Sequence, residues 1–380
     1  MCSNSVVRLA VLGLLAPGLL PAQDAPLPLG SVHINFPTDA PIAVMSSTTG
    51  ASRTAARGAA MVVDLHMELT LRNISQSRIH GITLRVVSQE VALGGKASVS
   101  LPSLNVGPGE VFPLRIDQQL IRPTQIAGGP LVEVTLDGVL FQDLSFYGPD
   151  RLHSRRTMTA WEMEARRDRE YFKRVLAQSG SAGLQKAVLA SMAQRPRLDV
   201  RVIKHGPAVT SAALGAPEHT EQFAFLQFPD SPIQPIGGWA QVAGNQARAP
   251  EIEVRNRSDQ AVKYVELGWL VKDTNGQEYM AASLPAAEPN LYLPAGKTAR
   301  VVQDTQLTFS KGGKPVNVEG MVGFVSQVEF ADGKVWVPNR QNLGMDVLPK
   351  VLAPSPEEQR LTEIYVRKGL QALVEELKKY

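Results

Sequence analysis

The chain has 380 residues, of which 44% are apolar and 20% charged, with a formal net charge of +3. That length holds two domains with separate cores, and that balance belongs to a folded chain rather than a disordered one. So small and dispersed a charge excludes the clustered basic footprint that nucleic-acid binding requires.

Residues 1–22 read as a secretory signal peptide. Arg8 precedes an apolar run from Leu9 to Leu20, and Pro21-Ala22-Gln23-Asp24 follows, with cleavage expected after Ala22. The run falls short of the roughly 20 residues of a membrane span, and no later segment approaches that length. Cys2 is the single cysteine and leaves with the signal. The mature chain is therefore expected to carry no disulfide, thiolate nucleophile or cysteine metal site. Such an exported, disulfide-free chain suits a bacterial cell envelope, periplasmic or extracellular.

Residues 23–31 form a Pro-rich linker, and 32–153 a first β-rich module. Val63, Leu65, Met67, Leu69 and Leu71 alternate with polar neighbours, the period of a strand with one buried face. Thr48 to Ala60 reads as a loop or weak edge strand. Asn73-Ile74-Ser75 is turn chemistry, Ile82, Leu84 and Val86 resume the alternation, and Asp137-Gly138 is a hairpin signal. Residues 154–195 then change period. Met158, Trp161, Ala165, Phe172 and Leu176 make a helical stripe, with Thr159 to Glu162 as its capping box. Ser179-Gly180-Ser181 breaks it, and Leu184, Val188 and Met192 stripe a second short helix.

Residues 196–345 repeat the β grammar. Leu69-Thr70-Leu71-Arg72-Asn73-Ile74-Ser75 is echoed by Ile252-Glu253-Val254-Arg255-Asn256-Arg257-Ser258, and Ile79, Ile82, Leu84 and Val86 by Val262, Val265, Leu267 and Trp269. A linker over 346–354 leads to a helix over 355–380, with Ser355 as N-cap, Pro356 at its first position and Glu358 at its third. Val366, Leu370, Leu373, Leu377 and Tyr380 share one face. The expected architecture is mainly β with helices: two immunoglobulin-like antiparallel sandwiches related by duplication, each trailed by an amphipathic helix. Each stripe is expected to pack on its own sandwich or, failing that, on another chain.

The sequence contains no nucleophile elbow, His-Glu-x-x-His pair, phosphate-cradling loop or EF-hand loop. Six histidines show no ligand spacing, and His66 reads as an outward-facing strand residue. Asp143 and Asp332 occupy equivalent places and read as turn formers rather than cation ligands. Arg151 and Arg340 read as partners of carboxylates inside their own modules. Both Asn-x-Ser triplets fit a glycosylation sequon, but their equivalence favours a turn device. Trp269 reads as core. Trp239 and Trp336 are the aromatic candidates for a docking surface, to which the helix face of Val366, Leu370, Leu373 and Leu377 is added.

The stretch from Ile252 to Val302 carries Val254, Asn256, Ser258, Val262, Val265, Leu267, Asp273, Gly276, Leu293, Pro294 and Gly296 in a characteristic order. It resembles the small immunoglobulin-like modules of bacterial envelope proteins, including those of the FxLYD type. The first module agrees at Leu71, Asn73, Ser75, Ile79, Ile82, Leu84, Pro108 and Gly109. The resemblance implies a non-catalytic module. The expected function is exported binding or scaffolding without metal or cofactor, with an envelope protein or a second copy as partner. The alternative is a hydrolase of envelope polysaccharide or peptide using carboxylates such as Glu133, Asp143, Glu329 or Asp332.

Overall fold

Alternation along the strand Ala60–Asn73 sets the first core. Val63, Leu65, Met67, Leu69 and Leu71 all point inward and are buried, while the residues between them stay accessible. Burying each such side chain contributes about 1.5–3 kcal/mol. The computed structural model describes residues 25–90, 94–124, 129–192, 198–204, 217–285, 291–302, 305–339 and 354–380. The expected signal peptide with Cys2, together with His205, Arg340 and nearly all of the 346–354 linker, lies outside the described residues.

Strand Ala60–Asn73 pairs antiparallel along its length with Val111–Pro123. Its other edge carries Arg53–Arg57 and Ile42–Thr48. The segment read as loop or weak edge thus supplies a hairpin strand. Facing this sheet, Ile79–Val87 and Val132–Phe141 pair antiparallel, flanked by Lys96–Leu101 and by Val32–Asn35 in parallel. Side chains of both sheets meet in one core, a sandwich-like arrangement. The second half has the same two-layer form. Gln246–Asn256 joins Ile233–Ala243 to Thr298–Val302 and Thr305–Lys311, and Val262–Asp273 lies between Val318–Phe330 and Glu278–Pro285. Trp269 is buried in this second core, 4.7 Å from the Phe223 ring.

Matching positions in the two halves are built alike. Asn73 is fully buried; its Nδ2 donates to Ser77 O (2.9 Å) and Val106 O (3.1 Å), and its Oδ1 accepts from the Ser75 hydroxyl (2.7 Å). Asn256, equally buried, donates to Gln260 O (2.7 Å) and Leu293 O (3.0 Å) and accepts from the Ser258 hydroxyl (2.7 Å). Two register shifts also correspond. Those at Ile79/Gly81 and Thr83/Leu84 are matched at Val262/Tyr264 and Glu266/Leu267.

One turn expectation is corrected. Asp137-Gly138 makes no hairpin, because Val132–Phe141 runs straight through it. Asp137 instead sits at a bulge, opposite the step from Thr83 to Leu84. Its carboxylate accepts from Arg151 N (2.9 Å), Leu152 N (3.4 Å) and the Ser154 hydroxyl (2.7 Å). Glycine follows because a Cβ at 138 would stand 2.2 Å from Phe146 Cζ.

These bonds start the long helix, Ser154–Met192, so it begins at Ser154 and not at a cap formed by Thr159. Asp150 adds an acceptor for Arg155 N (2.8 Å). The helix breaks at Gly180, where φ is +65°, as the Ser-Gly-Ser spacing predicts. The C-terminal helix, Pro356–Lys378, is capped by the Ser355 hydroxyl accepting from Glu358 N (3.0 Å), and is itself broken at Gly369 (φ +84°). The expected cover for the stripes is also corrected. Met158 lies on the first sandwich beside Gly81 and Thr83, but Phe172, Leu184 and Val188 pack with Leu361, Leu373 and Leu377. The two helices cover each other because each folds back at its glycine.

Asn73→Ala and Asn256→Ala each remove a buried amide that bonds two carbonyls and accepts from a serine hydroxyl and its backbone N–H. Each is expected to cost about 2–3 kcal/mol in urea unfolding. A loss under about 0.5 kcal/mol would refute this account of the turn.

Candidate functional site

The stretch of helix from Arg155 to Arg174 touches both sandwiches and the C-terminal helix, and it carries charge into each contact. Toward the first sandwich, Glu162 is buried with Oε1 2.9 Å from His80 Nδ1. It also accepts from Arg166 Nε (2.8 Å) and Arg169 Nη2 (3.0 Å). Burial opposes the charge of Glu162, but His80 and the two arginines outweigh it and hold the carboxyl below its ordinary range. Toward the second sandwich, the Arg156 guanidinium stacks 3.7 Å above the Tyr264 ring and stands 3.7 Å from Glu329. Arg167 bonds Asp168 (3.0 Å) and donates to Pro338 O (3.1 Å). Toward the C-terminal helix, fully buried Asp168 accepts from the Ser355 hydroxyl (2.6 Å), and Arg169 reaches Glu357 at 3.4 Å.

Two hollows flank this stretch. One, of about 680 Å³, lies between the helix and the short edge strand Val335–Trp336; Met163, Tyr171, Phe330 and Trp336 supply apolar walls, and Arg174 and Lys334 stand among its polar ones. Trp336 is half-buried, and its Nε1 donates to Asp230 (3.3 Å). The other hollow, of about 470 Å³, lies between the helix, the first sandwich and the chain's end, with His80 and Glu162 among its walls. The Tyr380 ring closes one side, 4.1 Å from Arg169, and its hydroxyl donates to Ser103 O (3.3 Å).

Of the residues singled out by sequence, Trp336 lies in the larger hollow. Trp239 is half-buried on Ile233–Ala243, beside a register shift, and lines neither. Leu373 and Leu377 are inside the helical core with Leu370 packed against it, whereas Val366 is 60% exposed. The four carboxylates weighed for hydrolysis are dispersed. Glu133 accepts from Asn35 (3.2 Å), and Glu329 is buried against Lys263 (2.9 Å). Asp143 and Asp332 form turns, accepting from Ser145 N and Lys334 N at 3.0 Å each. His66 lies outward between Asp64 and Asp117.

Sequence reading missed His80, Glu162 and Arg169. The signal was present: Glu162 and Arg169 share helical spacing with Met158, Ala165 and Phe172, so two charges interrupt an otherwise buried stripe. Buried charges at such positions demand partners from elsewhere in the chain.

No family model matches the chain, and no curated protein does. Among solved structures it is similar to Northeast Structural Genomics Consortium target SoR45, at 16% identity over 37% of this chain and 80% of that one, with a TM-score of 0.19. A beta-glucosidase from Kluyveromyces marxianus is 9% identical over 69% of this chain and 45% of that one, with a TM-score of 0.15. A structure named pT26-6p is 8% identical over 88% and 72%, with a TM-score of 0.17. Likeness at that level carries no argument about fold or activity. Among the described residues, no helix is long and apolar enough to cross a membrane.

Glu164, in the middle of the helix, makes this junction respond to pH. Burial pushes its carboxyl from 4.5 up to about 7; Arg167 opposes this, and Asp168, Glu266 and Glu358 add to it. A carboxyl raised on folding binds its proton more tightly in the native state, so this group's contribution to stability declines as pH rises from about 4.5 to about 7. Glu164→Gln is expected to flatten that decline, by no more than about 3 kcal/mol in urea unfolding compared at pH 5 and pH 8. An unaltered pH profile in the variant would refute the assignment.

Proposed function

We propose that the chain is an exported, non-catalytic binding or scaffolding protein of the cell envelope. In this reading it consists of two immunoglobulin-like sandwiches of the FxLYD type, produced by duplication and braced by a helical clasp. Support for duplication comes from the matched asparagine turns and the matched pairs of register shifts. Support for the exported location comes from the charged start, apolar run and small residues of the first 22 positions.

The observation that carries the binding role is the 680 Å³ hollow beside Trp336. Its floor is aromatic and its rim charged, the composition of a surface that takes a peptide segment of another protein. The neighbouring strand Val335–Trp336 hydrogen-bonds on one side to Val328 and Glu329, and a strand edge of this kind accepts added backbone. The partner is therefore an extended segment of an envelope protein, and no cofactor takes part.

A photocrosslinking residue in place of Lys334 is expected to give discrete adducts in envelope extract, and one in place of exposed Ile121 is not. Trp336→Ala is expected to reduce those adducts at least fivefold. Equal labelling from both positions, or adducts indifferent to Trp336, would count against the reading.

A further inference from the structure

The smaller hollow has a composition of its own. Three separate parts of the chain converge on it: Arg78 and His80 from the first sandwich, Arg166 and Lys173 from the long helix, and Lys379 and Tyr380 from the chain's end. Their charges are not equally committed. Arg166 is held by Glu162, and Lys379 by Glu376 (2.7 Å). Among the described residues Arg78 donates to neutral acceptors alone, Asn105 O (3.2 Å) and Oδ1 (2.8 Å). Lys173 has no ion pair among the described residues, and neither has Glu170 on the rim. Among the described residues the walls thus hold two cations outside any ion pair against one such carboxylate, Glu170, which leaves the uncommitted charge positive.

The floor is more unusual. His80 is 5% exposed and Glu162 2%. Their close approach is off the line of a hydrogen bond, and His80 Nδ1 and Glu162 Oε2 have no hydrogen-bond partner among the described residues. Buried polar atoms are ordinarily satisfied, and an unsatisfied set beside a hollow large enough for several waters marks a place for a polar occupant. Cationic walls demand negative charge, whereas an acceptor oxygen in the floor demands a donor. An oxyanion that retains a proton meets both demands, and a fully ionised one does not.

We propose that this hollow binds a phosphate group carrying a hydroxyl. Arg78 and Lys173 donate to its charged oxygens, and Glu162 accepts from its hydroxyl. The site is separate from the Trp336 hollow and does not depend on the peptide-binding reading.

Inorganic phosphate titrated into the full chain by calorimetry at pH 7 is expected to show saturable one-site binding, with sulfate at least tenfold weaker. Lys173→Ala, at the solvent rim and harmless to folding, is expected to weaken phosphate at least fivefold. Arg78→Ala is expected to weaken it about tenfold, and Lys334→Ala, across the helix, to leave it unchanged. Phosphate is also expected to shift the His80 ring ¹⁵N resonances. No saturation by about 10 mM of either inorganic phosphate or a phosphate monoester, sulfate bound as tightly as phosphate, or affinity unchanged in Lys173→Ala would each overturn the proposal. Phosphate monoester bound with free phosphate excluded would place the group on a larger ligand and sustain it.

Discussion

The arrangement depends on buried charges that one helix presents in three directions. Glu162 is shared by His80, Arg166 and Arg169, and Arg169 passes on to Glu357. Asp168 is held between Arg167 and Ser355, and Arg167 extends to Pro338 O. Desolvating such groups costs about as much as their attraction returns, so the network's contribution is selective. Any other docking of the helix leaves a carboxylate or guanidinium buried without its counterpart, which costs several kcal/mol. Apolar packing alone tolerates sliding by a turn; paired charges do not.

That selectivity accounts for the places where the two hollows form. A helix that buries charge cannot close flush against its neighbours, because long arginine side chains need room to reach their partners. Arg166 and Glu170 line both hollows, so one helical turn divides a cationic space from an aromatic one. The Trp336 side is walled by an edge strand and the His80 side by the chain's last residue. The C-terminal helix therefore contributes to both the core and a site: its leucines complete the helical cluster, and Tyr380 returns to the first sandwich.

The β layers are held by different means. In each half a fully buried asparagine reinforces backbone pairing at the turn, bonding one carbonyl within the turn and a second that already accepts a backbone N–H across a β-bridge. Asp137 extends the same economy, since a bulge that would waste a strand position turns its carboxylate to the start of the long helix. Sandwich and helix are joined there by hydrogen bonds rather than by apolar contact.

Local pattern was enough for much of this. Period-2 alternation located Ala60–Asn73 and Val262–Asp273, the Asn-x-Ser echo located the matched turns, and Ser355-Pro356 with Glu358 located the C-terminal helix, because each depends on neighbours within a few residues. Trp336 was legible as a docking candidate and the long helix as a helix, though their meeting across the hollow was not. Asp137-Gly138 misled because the dipeptide fits a bulge as well as a hairpin, and only the crowding of Phe146 decides between them. Glu162 and Arg169 share one helical stripe, but His80 and Glu357 come from distant positions, so the union existed only once the sheets had closed and the two helices had met. Sequence determined the main strands, the asparagine turns and the start of the C-terminal helix through short-range backbone chemistry. Tertiary structure decided which buried charges met, because pairing across the chain is set by packing that no local window contains.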